Sequence, residues 1–577
     1  MQSMPIFRPA SLPRRRPGFL LRKALAVALS WSLCGAAPAQ LLPNPATNPA
    51  TNPATNPAVN NVRLPALGES ASDDFSLSVE KRMGEQIMRE IRRDPDYIDD
   101  PLLLDYLQSI WQPIVQAAKL RGDIGADVAT LFPFEAFLVR DRSVNAFALP
   151  GGYVGVHLGL IAMTATRDEL ASVLAHEFSH LSQRHIARSI AANTRSSTLG
   201  IVGMILGVLA ASRSRNADAA QAAIVGGQAA MAQSQLNFSR DMEREADRNG
   251  QALMAEAGFA PLGMAAMFNK LDQANRLNDS GAFPYLRSHP LTVERIAEAQ
   301  QRVGQIGEPV ASGAALSAAD AGRWHLLMQA RAKILMDPSV DSVQRLQELD
   351  ARGGSADERL AGFYASTLAS IQLRDFGRAD RSLASAGALP GVREDSFIQR
   401  AFAPLFVHLA LARGDTHAAE RAALALGRTA DSRPDLLLRA QVALATRDAQ
   451  AVRGSAEALQ TWVSEHRSDA LAWLTLSHTA EQQGQALRAV RAAAEAQAAL
   501  GNLQGAVDRL RAGQQLARRG VAGNDFIEAS VIDSRLRDLQ AQRRELLAEQ
   551  RGGRRGGGEP GPDGNPYRAR TPVLSHP

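Results

Sequence analysis

The sequence predicts a mainly α-helical protein with two structured parts, a first domain over residues 75–305 and a helical repeat array over residues 318–550. Apolar residues recur at helical spacing through most of both regions, and only a short stretch near residues 137–156 has β-sheet character. The second region is rich in alanine and repeats similar helix pairs. A chain of 577 residues with 45% hydrophobic residues is long enough to form both cores.

Residues 1–39 are predicted to be a cleavable secretory signal peptide. Residues 14–23 are basic, residues 24–33 are apolar, and Ala37-Pro38-Ala39 forms a small-residue cleavage site. The apolar core is shorter than the roughly 20 residues that a membrane-spanning helix needs. Cys34 is the only cysteine, so the mature chain would contain no disulfide. We therefore expect export to a bacterial periplasm.

Two further segments have the composition of unstructured chain. Residues 40–74 form a linker in which Asn44, Asn48 and Asn52 each begin an Asn-Pro-Ala-Thr unit, and proline at this frequency prevents both helix and sheet. Residues 551–577 are rich in Gly, Pro and Arg, and we expect a disordered tail. The net charge of +5 is small for this length and accompanies no RNA-binding or zinc-finger pattern, so we expect no nucleic-acid partner.

The first domain is expected to contain a small sheet followed by a long helix. Residues 137–140 and 153–156 read as strands on either side of a Gly-rich turn segment at residues 145–152. Thr166 reads as a helix N-cap with Glu169 completing a capping box. The helix that follows has an apolar stripe formed by Leu170, Val173, Leu174, Phe178 and Leu181.

This helix also carries an HExxH motif, formed by His176, Glu177 and His180. Residues four apart lie on one face of a helix, so both imidazoles can bind one ion. A catalytic zinc site takes three protein ligands and leaves one position open to a water molecule. Glu177, next to the first ligand, is placed to accept a proton from that water. Ligand type alone leaves Mn²⁺ and Co²⁺ as alternatives.

A second helical segment at residues 241–247 offers the third ligand. Glu243 and Asp247 are four residues apart and share a face, whereas Glu245 points to the opposite side. A metal ligand that is supported by a second carboxylate one turn further on requires two carboxylates on the same face. Glu243, with Asp247 four residues later, is therefore the better candidate.

The motifs HEFSH and EREADRNG, with NAFALPGG upstream, resemble those of the HExxH–ExxxD zinc peptidases, a clan that includes the CAAX prenyl proteases and HtpX. With a signal peptide and C-terminal repeats, the chain is most similar to periplasmic BepA-type proteases. The resemblance implies a zincin-like fold with one zinc ion per chain, and Glu243 as the third ligand. It implies that Asp247 orients a ligand and that Asn145 helps to hold the scissile carbonyl. The neighbouring strand edge would bind the substrate backbone.

His289 precedes Pro290 and so lies in an extended turn that can approach the metal. It would either stabilise the oxyanion or occupy the open zinc position and hold the enzyme latent; BepA-like proteins carry a comparable His-Pro-Leu segment. His185 is nine residues after His176, half a circle round the helix, and is expected to face away from the metal. The remaining histidines are interpreted as structural or surface residues: His157, His325, His408, His417, His466 and His478.

Two other regions bear on partners. Residues 199–211 are strongly apolar but too short to span a membrane, so a helix buried or covering the active site is favoured and peripheral membrane contact stays open. In the repeat array, three units have tetratricopeptide spacing, at residues 363–386, 402–422 and 473–496. Stacks of such hairpins offer concave surfaces to protein partners.

Together these features predict a periplasmic zinc endopeptidase that degrades misfolded or stalled proteins. The resemblance implies quality control of outer-membrane protein assembly, with outer-membrane proteins as substrates and the repeat domain docked to the assembly machinery. The alternative is a repeat-based chaperone or adaptor whose protease site is normally latent.

Overall fold

The computed structural model describes residues 76–192, 239–277, 283–306, 317–351, 353–424, 432–520 and 525–555. The described residues all belong to one compact unit. The predicted signal peptide, the linker, the apolar stretch at 199–211 and the tail beyond residue 555 lie outside them. Across the described ranges, no helix is both long and apolar enough to cross a bilayer.

The first part of the fold alternates helices with four short strands. Its elements are α1 (Leu77–Ile91), β1 (Tyr97–Ile98), α2 (Pro101–Arg121), α3 (Ala126–Leu131), β2 (Glu135–Val139), β3 (Ala146–Leu149), β4 (Tyr153–His157), α4 (Leu158–Met163), α5 (Arg167–Ser182), α6 (His185–Ala192), α7 (Arg240–Glu256), α8 (Leu262–Leu277), α9 (Pro284–Ser288) and α10 (Val293–Ile306).

The strands form one sheet in the order β1-β2-β4-β3. Strand β4 pairs parallel with β2 and antiparallel with β3, which leaves β3 at an edge. The predicted small sheet is therefore present, but part of the stretch expected to be a turn, Ala146–Leu149, is itself a strand. The turn is confined to the residues before β4, where Gly151 and Gly152 adopt φ values of 78° and 91° that side-chain-bearing residues rarely reach.

Helix α5 lies at the centre of the domain and is buried from Glu169 to Leu181. The Thr166 side chain caps it by accepting the N–H of Glu169 at 3.1 Å. The reciprocal half of the predicted capping box is wrong, because the Glu169 carboxylate instead accepts the N–H of Ala165 and pairs with Lys270. A Cβ at Gly250 of α7 would lie 3.1 Å from the Ala175 backbone, so glycine permits the close crossing of α7 over α5.

The second part is wholly helical within its described residues. Its helices are α11 (Ala318–Leu335), α12 (Val340–Gln347), α13 (Ala356–Leu373), α14 (Phe376–Gly387), α15 (Ser396–Arg413), α16 (Thr416–Leu424), α17 (Arg433–Thr446), α18 (Ala449–Glu465), α19 (Ala470–Gln482), α20 (Ala486–Ala499), α21 (Leu503–Arg518) and α22 (Phe526–Arg555).

Successive helices of this part pack on one another, so the predicted fold class is confirmed: mainly α, a zincin-like domain with a small sheet, then a helical solenoid. The three predicted repeat units fall on the helix pairs α13–α14, α15–α16 and α19–α20. Helix α22 continues to Arg555, five residues into the predicted tail.

Partly buried polar contacts join the two parts. Arg331 of α11 donates two hydrogen bonds of 2.7 Å to Asp100, the N-cap of α2, and Arg433 of α17 lies 2.7 Å from Asp99. One hydrophobic core contains buried residues of both parts, from Ile98 to Ala412. The two parts therefore share a core, and the domain boundary expected between residues 305 and 318 stays a prediction.

Candidate metal centre

Three separate segments bring four potential ligands into one buried group. His176 and His180 come from α5, Glu243 from the first turn of α7, and His289 from the residue after α9. One ligand atom from each lies within 4.8 Å of all the others, and all four residues are buried. The crossing of α5 and α7 thus places the carboxylate opposite the two histidines of HExxH.

The spacing of these atoms fits a tetrahedral zinc ion. Bonds of about 2.1 Å in a tetrahedron place the ligand atoms about 3.4 Å apart. The Nε2 atoms of His176 and His180 are 3.0 Å apart, and each lies 3.5 Å from a Glu243 oxygen. Three nitrogens and one carboxylate also form a donor set that zinc favours. The group could therefore hold one zinc ion.

The His176 ring is oriented by the Asp247 carboxylate, which contacts the ring nitrogen that does not face the other potential ligands. Its Nδ1 lies 3.0 Å from Asp247 Oδ1, and Arg295 of α10 holds Asp247 through two hydrogen bonds of 2.7 and 2.8 Å. Burial lowers the pKa of His176, but the carboxylates of Asp247 and Glu243 outweigh it and raise that pKa to about 9. The same carboxylate contact fixes the ring so that Nε2 faces the other ligands.

Glu243 is stabilised as a carboxylate. Burial alone would raise its pKa, but His289 and His176 outweigh burial and lower the pKa of Glu243 far below its ordinary range. Arg295 Nη1 lies 2.9 Å from its Oε2. Glu243 is therefore charged at every physiological pH, as a metal ligand must be.

The other ligand imidazole, His180, has its pKa lowered by burial and by the charge of His176, which keeps it neutral. The Nδ1 atom of His180 lies 2.9 Å from His185 Nδ1. His185 is not part of the ligand group, as expected, but it lies directly against the ligand candidate His180. Helix α5 ends at Ser182, and Arg184 adopts a φ of 51°, so the angular position extrapolated along one helix does not apply.

Glu177 stands beside the ligand group and touches the edge strand. Its Oε2 accepts the N–H of Ala148 at 3.0 Å, so that N–H points away from β4. Its Oε1 is buried and has no hydrogen-bond partner among the described residues. Burial raises the pKa of Glu177, which makes it a stronger base than an exposed glutamate.

His289 fills the remaining side of the group. Its Nδ1 lies 3.0 Å from Glu243 Oε1 and 3.3 Å from His176 Nε2, and its Nε2 lies 3.4 Å from Glu177 Oε1. Tyr285 stacks on the His289 ring with centroids 4.7 Å apart. The side chain is thus held by packing in the place where a fourth ligand would lie.

Asn145 immediately precedes β3 and is buried. Its backbone carbonyl accepts the N–H of His157, and its side-chain Oδ1 has no hydrogen-bond partner among the described residues. The structure therefore places it at the start of the edge strand whose Ala148 touches Glu177. His157 itself bonds to Ser143 at 3.0 Å, away from the ligand group.

Sequence reasoning missed three supporting residues: His185, Glu245 and Arg295. Glu245 points away from the ligands, as expected, but it lies 3.1 Å from His185 Nε2. Arg295 follows His289 by six residues and carried no signal that distinguished it from other arginines. His185 could have been noticed only if the helix end at Ser182 had been recognised.

Comparison with known proteins agrees with this geometry. Residues 104–303 match peptidase family M48. The chain is 36% identical over 244 residues to the putative beta-barrel assembly-enhancing protease of Vibrio cholerae serotype O1, covering 42% of this chain and 48% of that relative. It is equally identical to the beta-barrel assembly-enhancing protease of Escherichia coli (strain K12), covering 47% of the latter.

The chain is also similar, at lower identity, to a mitochondrial metalloendopeptidase. The mitochondrial metalloendopeptidase OMA1 of Schizosaccharomyces pombe is 30% identical over 238 residues, which cover 41% of this chain and 65% of that protein. The matched region spans about half the length of the bacterial relatives. The residues that form the ligand group all lie within the family match. Residues 104–303 are therefore similar to peptidase family M48, and over this part of its length the chain resembles the beta-barrel assembly-enhancing proteases.

Proposed function

We propose that this protein is a zinc-dependent endopeptidase of the bacterial periplasm that cleaves misfolded or stalled proteins during outer-membrane protein assembly. The convergence of His176, His180 and Glu243 beside the base Glu177 carries the proposal. The names of the bacterial relatives support the link to β-barrel assembly.

In this proposal His176, His180 and Glu243 hold the metal. A zinc ion there supplies Lewis acidity at the scissile carbonyl and lowers the pKa of water. Glu177 takes the proton from the attacking water through Oε1 and delivers it to the leaving amine. The Ala148 N–H, which donates to Oε2, holds the carboxylate in the orientation that this transfer needs.

The edge strand β3 is the proposed platform for the substrate backbone. Its outer side is not paired with another strand within the described residues, and Ala148 lies next to Glu177. A peptide added to this edge would run past the catalytic carboxylate. Asn145, at the start of the same strand, would hold the scissile carbonyl with its side-chain amide.

Of the two roles considered for His289, the distances favour the latent one. A catalytic site needs an open position, whereas four protein ligands make a closed site. His289 Nδ1 lies as close to His176 Nε2 and Glu243 Oε1 as the other ligand atoms lie to one another. Cleavage then requires His289 to withdraw, and a withdrawn His289 could still serve the oxyanion.

The same closure favours the second candidate function, a periplasmic chaperone or adaptor that works through its helical array while the protease is shut. In both versions the array docks the assembly machinery or its clients, and the predicted signal peptide directs export. The two functions differ in whether Glu177 is needed.

The experiment measures cleavage of casein and of a urea-diluted outer-membrane porin by wild type and by Glu177→Gln, with zinc content determined in parallel. The endopeptidase account predicts about one zinc per chain in both proteins and cleavage only by wild type. Suppression of porin aggregation by Glu177→Gln, with no cleavage by either protein, would favour the chaperone.

A further inference from the structure

Helix α5 ends at Ser182, and a buried ion pair holds the turn that follows it. Arg184 adopts a φ of 51°, which a residue with a side chain reaches only at a cost in conformational energy. Its Nε and Nη2 atoms donate to Glu80 Oε2 of α1 at 3.1 and 3.0 Å. The position of the next residue, His185, is thus fixed by contacts with a different helix.

His185 is fully buried between two groups. Its Nδ1 lies 2.9 Å from His180 Nδ1, and its Nε2 lies 3.1 Å from Glu245 Oε2 on α7. Arg188, one turn further along α6, lies 3.3 Å from the same Glu245 oxygen. The three side chains of His180, His185 and Glu245 therefore form a continuous row leading away from the ligand group.

The ligand geometry assigns a direction to these hydrogen bonds. His180 faces His176 and Glu243 through Nε2. A neutral imidazole that binds a metal through Nε2 carries its proton on Nδ1. That N–H then donates to His185 Nδ1, so the proton of His185 is on Nε2 and donates to the Glu245 carboxylate.

We propose that His185 and Glu245 are positioning residues that fix the tautomer and ring orientation of the zinc ligand His180. This inference rests on the proposed metal ligands. The other histidine ligand is held in the same manner, since His176 Nδ1 contacts Asp247, which Arg295 holds in turn. On the His180 side, Nδ1 contacts the imidazole of His185. Because Glu245 projects from the face of α7 opposite Glu243 and Asp247, that imidazole lies between His180 and the Glu245 carboxylate.

The test is the zinc affinity of the purified chain, measured by competition with a chromophoric chelator. Loss of a residue that orients a ligand weakens metal binding by about 10- to 100-fold, and we expect this loss in His185→Leu. His185→Gln should retain most of the affinity, because its amide oxygen can accept from His180 and its amide nitrogen can donate to Glu245. The visible spectrum of the Co²⁺ form should change in His185→Leu and stay close to wild type in His185→Gln.

His325 provides a matched control. It is also a buried histidine with both ring nitrogens bonded, to Tyr106 and to the Thr164 carbonyl, but it lies outside the ligand group. His325→Leu should lower the melting temperature of the metal-free protein without changing zinc affinity. Melting of each metal-free variant separates lost folding from lost positioning.

Three results would overturn the inference: wild-type affinity in His185→Leu, an equal loss in His185→Gln, or an equal loss in His325→Leu. Failure of wild type itself to bind zinc would overturn the metal centre and this inference together, so the two failures are distinguishable.

Discussion

The Nδ1 atom of His289 lies 3.0 Å from Glu243 Oε1, although 46 residues separate the two in the chain. Glu243 arises from α7 and His289 from the residue after α9, so their contact completes the ligand group with two residues that lie outside α5. Because His289 reaches the group from a turn instead of from the middle of a helix, it is the member that can leave without dismantling α5 or α7.

Replacement of His289 by alanine should therefore raise proteolysis. Wild-type activity equals the full activity multiplied by the fraction of molecules in which His289 is withdrawn, so a gain of about tenfold corresponds to withdrawal in one molecule in ten. Casein cleavage measures the gain, and zinc should remain at about one per chain. Ser288→Ala, at the end of α9 next to His289, is the control and should match wild type. An inactive His289→Ala that still binds zinc would instead indicate an oxyanion role.

Asp247→Asn should weaken zinc binding by about 10- to 100-fold, because the neutral amide is a poorer partner for His176 Nδ1, 3.0 Å away. Chelator competition measures the change. Asp241→Asn on the same helix is the control, since that side chain is 94% exposed. Equal affinity of the two variants would show that Asp247 does not support the ligand.

Arg331→Met should destabilise the whole unit by about 3 kcal/mol, because it leaves the Asp100 carboxylate, which is only 11% exposed, without its partner. Urea unfolding at neutral pH measures the free energy of unfolding. Arg276→Met removes an exposed pair with Asp272 and should cost less than about 0.5 kcal/mol. If the two variants lose the same stability, the joint between the two parts of the fold is not maintained by this pair.

His325 should make stability fall in mild acid. Burial lowers the pKa of His325 below its ordinary value, while its ring nitrogens bond to Tyr106 and Thr164 as a neutral imidazole. In the unfolded chain the His325 imidazole is protonated below about pH 6.5, whereas in the folded protein it stays neutral to a lower pH. Its stability contribution is thus complete above that pH and declines as the pH falls below it.

Urea unfolding of the metal-free protein at pH 7.5 and 5.5 measures this dependence. His325→Gln should be less stable than wild type at pH 7.5 and should lose less stability between the two pH values. His417→Gln is the control, because the His417 side chain is 86% exposed. A pH dependence of His325→Gln as steep as that of wild type would contradict the explanation.

Much of the ligand group could be predicted because it depends on local periodicity. Four-residue spacing on a helix places His176 near His180, and the same spacing separates Glu243 from Asp247. The close approach of α7, which carries Glu243, to α5 could be expected only from the family resemblance. The structure provides its physical basis, since Gly250 lets the α7 backbone approach Ala175.

What the sequence could not predict depends on contacts between distant segments and on local departures from regular structure. The contact of His185 with His180 could not be predicted, because helix α5 ends at Ser182 and helical geometry does not continue through Arg184. Strand β3 was missed because its register is set by pairing with β4. The pair formed by Arg331 and Asp100 joins residues 231 positions apart, and nothing in either local sequence indicates the other.

The most direct measurement of the central claim compares His289→Ala with the double variant His289→Ala/Glu177→Gln. Removal of His289 excludes latency as a reason for weak cleavage, and Glu177→Gln removes the base while leaving all three proposed metal ligands. The account predicts about one zinc per chain in both proteins. It also predicts a loss of casein cleavage of about 100-fold or more in the double variant. Equal cleavage by the two zinc-loaded proteins would contradict the role of Glu177 and the proposed mechanism with it.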